Sequence, residues 1–199
     1  MPDLQRQAAM SGRCEPLDRD ITPQGYEVIV VDPPWPVKKI VRRVRPNQKA
    51  ELDYPTMTLD EIKALPVQSI AAKNSALFLW TTHAFLEHSF DVMRAWGFKY
   101  QRVLTWDKGN GVSFFGFHHR TEMCLFGYRG QIDMYPRRKA IQTVFSGKSE
   151  RHSAKPDEFY RLVEPLGDRR IDVFARRERE GWAAWGNEVE CDVSAPPRC

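Results

Sequence analysis

The feature that most restricts this chain is Tyr26–Val31 (YEVIVV), a run rich in Val and Ile, bounded by Gly25 on one side and by Pro33 and Pro34 on the other. A segment with so little polar character on either face is expected to be a strand buried on both sides, the situation of a parallel sheet covered by helices. Asp32-Pro33-Pro34-Trp35 then stands at the C-terminal end of that strand. Open α/β sheets bind their ligands beyond the carboxyl ends of the strands.

The rest of the chain repeats the pattern. Ser75–Trp80 (SALFLW), Tyr100–Trp106, Glu122–Tyr128 and Arg170–Phe174 read as further strands, and Trp182–Trp185 as a shorter one. Gly109 to Phe117 is glycine-rich and aromatic, and joins two strands as a hairpin or a longer excursion. Thr58-Leu59-Asp60-Glu61 has the form of a capping box opening a short helix that stops before Pro66. Phe85, Phe90, Val92, Met93 and Trp96 place an apolar face on a helix over Ala84–Trp96, with Gly97 as its left-handed cap. Pro156 suits the first turn of a helix running through Val163. Strands alternating with helices predict an α/β domain with a mostly parallel sheet flanked by helices. We place it at residues 24–190, with flexible ends at 1–23 and 191–199.

With 42% apolar and 12% aromatic residues in 199, the chain is too rich for disorder, and no apolar run nears the roughly 20 residues of a membrane span. Neither a signal peptide nor a transit composition is evident at the N-terminus. Cys14, Cys124, Cys191 and Cys199 are scattered, as expected of reduced thiols in the cytoplasm. His118, His119 and Cys124 match no standard metal spacing, so no metal is expected.

Asp32, Pro33 and Pro34 together suggest a chemistry. A carboxylate and a backbone carbonyl, expected at Pro33, can each accept one N–H of an amine whose lone pair is delocalised, and so localise that pair for attack. The prolines stiffen the backbone carrying the carbonyl, and Trp35 offers a flat surface for a base lifted from its stack. A rigid turn after a strand is the plainer reading of the same four residues.

Lys38, Lys39, Arg42, Arg43, Arg45 and Lys49 crowd the long loop that follows. Beside a reaction centre such a loop can neutralise backbone phosphates, and we favour that role over a solvated charge run. The net charge of +4 and pI of about 8.9 permit a polyanionic partner without requiring one. Arg137-Arg138-Lys139 could extend the track. Phe114, Phe115 and Phe117 could stack on bases, though a place in the core is the stronger expectation for them.

Several stretches in one order resemble the MT-A-seventy family of adenine N(6)-methyltransferases: DPPW, Tyr54–Leu65 (YPTMTLDEIKAL), Leu77–Thr82 (LFLWTT), Met93–Phe98 (MRAWGF), His119–Gly127 (HRTEMCLFG), His152–Tyr160 (HSAKPDEFY) and Trp185–Glu188 (WGNE). The resemblance covers roughly Tyr26 to Glu188. It implies a Rossmann-like fold for S-adenosylmethionine-dependent methyl transfer, with the catalytic motif preceding the cofactor-binding segments. By this similarity Asp32, Pro33, Pro34 and Trp35 hold the target adenine, and Tyr54 lies on a mobile loop at the site. Lys155 meets the methionine carboxylate of the cofactor, Arg176 its ribose, and Asn187 with Glu188 its adenosine end. His119 and Glu122 shape the pocket. The chain departs from the family pattern at Ala175, where glycine is common, at Glu178-Arg179, where histidine or asparagine is common, and at Glu188, where glutamine is frequent.

The charge run Arg176–Glu180 reads equally as an exposed face. The implied activity is methylation of adenine in DNA. RNA methylation is the nearest rival, and a catalytically silent nucleic-acid-binding partner of the same fold is a third reading. A homodimer is compatible with the sequence, and no membrane is expected as a partner.

Overall fold

The computed structural model describes residues 24–37, 55–114, 116–132, 140–148, 154–186 and 189. Strand β1 (Tyr26–Val31) is followed by helices α1 (Leu59–Lys63) and α2 (Val67–Ile70), strand β2 (Ala71–Thr81) and helix α3 (Leu86–Ala95). The long strands β3 (Lys99–Phe114) and β4 (Phe117–Arg129) come next, then β5 (Val144–Ser146), α4 (Asp157–Val163), a 3-10 turn at Glu164–Leu166, β6 (Arg170–Val173) and β7 (Ala183–Trp185). They form one sheet in the order β5-β3-β4-β2-β1-β6-β7. β1 pairs in parallel with β2 and β6, β6 with β7, and β3 with β5, while β4 runs against both β2 and β3. The sheet is therefore mostly parallel, as expected.

The period of two along each strand sorts the core into halves. Ile29, Val31, Leu77, Leu79, Leu125, Ile171 and Val173 share one cluster with Ile62, Val67, Val92, Met93 and Trp96, which belong to or adjoin α1–α3. Val28, Val30, Phe78, Trp80, Cys124 and Phe126 join Phe159, Tyr160 and Val163 of α4 in the other. Helices thus cover both faces, and this is why β1 tolerates no polar residue after Glu27.

Local signals set the helix ends. Thr58 and Glu61 form the reciprocal capping box, with the Glu61 carboxylate accepting the Thr58 N–H at 2.7 Å and Thr58 Oγ1 accepting the Glu61 N–H at 3.2 Å. Gly97 follows α3 at φ +78°, a conformation that glycine adopts without penalty. Pro156 caps α4 from just outside its first turn.

β3 and β4 differ from expectation in length. They absorb most of the glycine-rich stretch and continue pairing to Phe114 and Phe117, through an irregularity between Asp107 and Val112. Gly111 permits this, because a Cβ there would lie 2.2 Å from the His119 carbonyl oxygen. Phe117 corrects the core reading, since it is 72% exposed on this hairpin. Phe115 and Arg137-Arg138-Lys139 lie outside the described residues, as do the two chain ends. Among the described residues no helix is long and apolar enough to cross a membrane.

Candidate active site

Val31 is the last residue of β1, and the Asp32 N–H donates to the Val173 carbonyl at 3.2 Å, extending the β1–β6 pairing by one step. Beyond it the chain turns tightly. The Pro33 carbonyl accepts the Trp35 N–H at 2.8 Å and the Pro34 carbonyl accepts the Met57 N–H at 2.9 Å. Pro33 is buried, so the peptide after it is held by ring constraint, packing and hydrogen bonding together.

Trp35 takes a different part from the one expected of it. It is 3% exposed, its ring stacks on Phe85 at 5.5 Å, and its Nε1 donates to the Trp80 carbonyl at 3.0 Å. Here its ring belongs to the core and anchors the turn to β2, rather than lying open to a base.

Asp32 and Lys155, 123 positions apart, meet at the carboxyl edge of the sheet. Lys155 Nζ lies 2.7 Å from Asp32 Oδ2 and 3.3 Å from Glu122 Oε2, and stands 5.0 Å from the centre of the Trp80 ring. Glu122 also receives Lys108 at 2.9 Å. Burial alone would lower the Lys155 ammonium, but Asp32 and Glu122 outweigh it and raise the group above its ordinary value. Burial likewise works to raise Glu122, and the two lysines more than offset it, leaving that carboxyl below its usual range. The arrangement is a buried ammonium held between two carboxylates.

A pocket opens beside it, lined by Asp32, Lys155, Tyr160, Asp172, Phe174 and Arg176, with Ala154, Arg177 and Arg179 completing the wall. Asp172 is buried within β6 and accepts the Tyr160 hydroxyl at 2.7 Å. Burial pushes its carboxyl up to about 7 against that hydrogen bond, with the nearby Asp32 charge acting in the same direction as burial. Phe174 stands at φ +66°, a conformation that costs a residue with a side chain roughly 1–2 kcal/mol. It turns the chain from β6 into the pocket wall, with its ring edge-on to Trp185 at 5.2 Å. The backbone reversal thus falls on Phe174, one residue ahead of Ala175.

The charge run after β6 is not simply an exposed face. Arg177 and Arg179 both donate to the Asp157 carboxylate on α4, Arg179 at 2.6 Å. The Arg179 guanidinium lies 3.5 Å from the centre of the Tyr160 ring, and only Glu178 and Glu180 in this run are exposed.

Of the residues singled out from sequence, Asp32, Lys155 and Arg176 come together around one pocket. His119 sits farther along β4, its ring 4.8 Å from that of His83, which in turn shares a 3.2 Å hydrogen bond with Thr121. Tyr54, Lys38, Lys39, Arg42, Arg43, Arg45, Asn187 and Glu188 lie outside the described residues. Sequence reasoning missed Asp157, Tyr160, Asp172, Phe174 and Arg179 as site neighbours. Asp172 carried one usable signal, a carboxylate within an apolar strand.

The family model for MT-A70 matches residues 26–188. The chain is similar to the type II methyltransferase M.MunI of Mycoplasma sp, 29% identical over 92% of this chain and 88% of that protein. A putative N(6)-adenosine-methyltransferase of the MT-A70-like kind from Medicago truncatula is 29% identical over 82% of this chain and 26% of its own length. The human N(6)-adenosine-methyltransferase catalytic subunit METTL3 is 27% identical over 83% of this chain and 28% of its own length. The chain thus spans about a quarter of these plant and animal relatives and most of the bacterial one. With a family match running from the first residue of β1 to beyond β7, enclosing Asp32, Lys155 and Arg176, this chain belongs to the MT-A70 family of adenine N(6)-methyltransferases.

Proposed function

We propose that this protein transfers the methyl group of S-adenosylmethionine to the 6-amino nitrogen of adenine in DNA. The observation that carries the reading is the Asp32 carboxylate, 2.7 Å from a buried lysine at the carboxyl edge of the sheet, with a pocket beside both. The donor set suits the cofactor. Lys155 and Arg176 would present cations to its carboxylate and ribose hydroxyls, and Phe174 an aromatic side chain. When bound, the cofactor supplies an electrophilic methyl group.

The chain's own residues do the rest. Asp32 accepts one N–H of the adenine amino group and the Pro33 carbonyl, through its second lone pair, accepts the other. The nitrogen is thereby drawn toward tetrahedral geometry with its lone pair exposed. The bond from the Trp35 N–H holds the Pro33 carbonyl in one orientation, which supports a role needing little reorganisation of that peptide. Lys155 orients the Asp32 carboxylate, and Glu122 keeps Lys155 in place.

DNA is favoured over RNA because the relative matched along most of both chains is a type II methyltransferase. The N(6)-adenosine enzymes match over only about a quarter of their length. The test is transfer of tritium from labelled S-adenosylmethionine to a long DNA amplified in vitro and, separately, to its RNA transcript, followed by nucleoside analysis. Label in N(6)-methyldeoxyadenosine is the expected result. Label confined to the RNA, or found in neither polymer, refutes the reading.

A further inference from the structure

The β3–β4 hairpin outruns the sheet on the side of the active site. β2 ends at Thr81, paired with Met123, so β4 continues for six residues past its neighbour to Phe117. At about 3.4 Å per residue β4 runs roughly 20 Å past the end of β2. It passes β2 at Glu122, the residue that holds Lys155, while β5 stays paired to β3 as far as Asp107, opposite Thr121. The base of the ribbon is braced by the His83–Thr121 hydrogen bond and the His83–His119 ring contact.

Its composition is one-sided. From Lys108 to Thr121 there is no carboxylate, while Lys108, His118, His119 and Arg120 fall in that stretch. The two acidic residues flanking it, Asp107 and Glu122, are engaged by Arg120 and by Lys108 with Lys155 respectively. At the tip, where Phe114 pairs with Phe117, Phe117 is 72% exposed and His118 next to it is exposed too, while Asn110 is exposed nearer the base of the ribbon. Burying a phenylalanine side chain stabilises a fold, and at the tip of this arm, which carries no carboxylate, Phe117 is left in water.

We propose that the tip of this ribbon, with Phe117 foremost, enters a groove of duplex DNA next to the target base. The major groove of B-DNA admits a two-stranded β-ribbon. Phe117 stacks on or wedges against the bases there and lowers the cost of lifting the adenine toward Asp32, while His118, on the opposite face of the strand, is left to the groove wall. The inference rests on the reading of the protein as an enzyme acting on DNA. It assigns to the ribbon the selection of substrate, and to the Asp32 pocket the chemistry.

The test uses the full chain and its Phe117→Ala and Phe117→Trp variants. Binding to a fluorescein-labelled 40-base-pair duplex of mixed sequence is read by anisotropy, with the matching RNA duplex as comparison. Cofactor affinity is read by calorimetry, and oligomeric state by sedimentation. Phe117→Ala is expected to weaken DNA binding by about ten-fold or more, and Phe117→Trp to restore it. Affinity for S-adenosylmethionine and sedimentation should stay unchanged. Unaltered DNA binding by Phe117→Ala overturns the proposal, and so does a variant whose only change is in oligomeric state, which would make the tip a contact between copies of this chain. A loss of affinity seen for RNA but not for DNA overturns it as well. Should the variants behave as expected while no label reaches DNA, the catalytic reading fails and the ribbon's role in binding stands.

Discussion

Asp172→Asn is expected to make the protein more stable, and by an amount that depends on pH. Asp172 is 6% exposed in the middle of β6, and its carboxyl titrates at about 7 against an ordinary value of 3.8. A raised carboxyl pKa means that the unfolded chain releases its proton first. Between those two values the folded state holds the extra proton, so the stability that this group supports is lost as pH rises, and the loss is complete above about 7. The interval is some three pH units, and at ~1.4 kcal/mol for each the burden comes to roughly 4 kcal/mol, an order of magnitude.

Asparagine cannot ionise, yet its side-chain oxygen can still accept the Tyr160 hydroxyl that now bonds to Asp172 Oδ2 at 2.7 Å. Urea unfolding of both proteins from pH 5 to 8.5 measures the difference. At pH 5 the variant should exceed the native chain by roughly 1–2 kcal/mol, and the gap should widen to several kcal/mol near pH 7 and then level. A gap that does not change with pH, or a variant less stable at pH 8, refutes the claim that Asp172 is held protonated by burial.

Asp32→Asn should cut turnover by about a hundred-fold or more while S-adenosylmethionine still binds, since the amide accepts from the adenine amino group more weakly than a carboxylate; calorimetry and single-turnover rates separate the two effects. Lys155→Met should destabilise the fold by about 3–5 kcal/mol near pH 7, because Asp32 loses its ion pair with Lys155 and Glu122 one of two; denaturant midpoints check it. The Lys155 loss should also weaken binding of the cofactor, read by calorimetry at a pH where the variant is folded. Replacing Arg42, Arg43 and Arg45 by Ala should lower affinity for DNA and flatten its salt dependence, and a titration giving the native slope would return those residues to a solvated face.

What could be read from the sequence was what short segments decide alone. YEVIVV had to be a strand covered on both faces, because no edge or surface position tolerates four consecutive branched apolar residues so readily. Thr58 with Glu61, Gly97, and Pro156 marked helix ends through bonds and backbone angles that span a few residues. Asp32, Lys155 and Arg176 stood out in the string as candidates, and the fold gathers them around one pocket. The resemblance of ordered motifs to one family was legible too, because identity and order are properties of the string.

Tertiary structure decided the rest, for a physical reason in each case. Whether Trp35 offers a face to a base or fills the core depends on Phe85 and Trp80, which β2 and the loop before α3 bring against it. Whether Arg177 and Arg179 face water depends on Asp157, 20 and 22 positions earlier on α4. Lys155 is charged in a buried site because the sheet sets two carboxylates from distant strands around it, and the Asp172 carboxyl is pushed up to about 7 because the same packing removes water from it. The reach of the β3–β4 ribbon came from strand pairing that runs past the last residue of β2. Local sequence specifies which residues can form strands, helices and caps. Charge state, exposure and reach are set by which remote segments become neighbours, and only the folded chain contains that information.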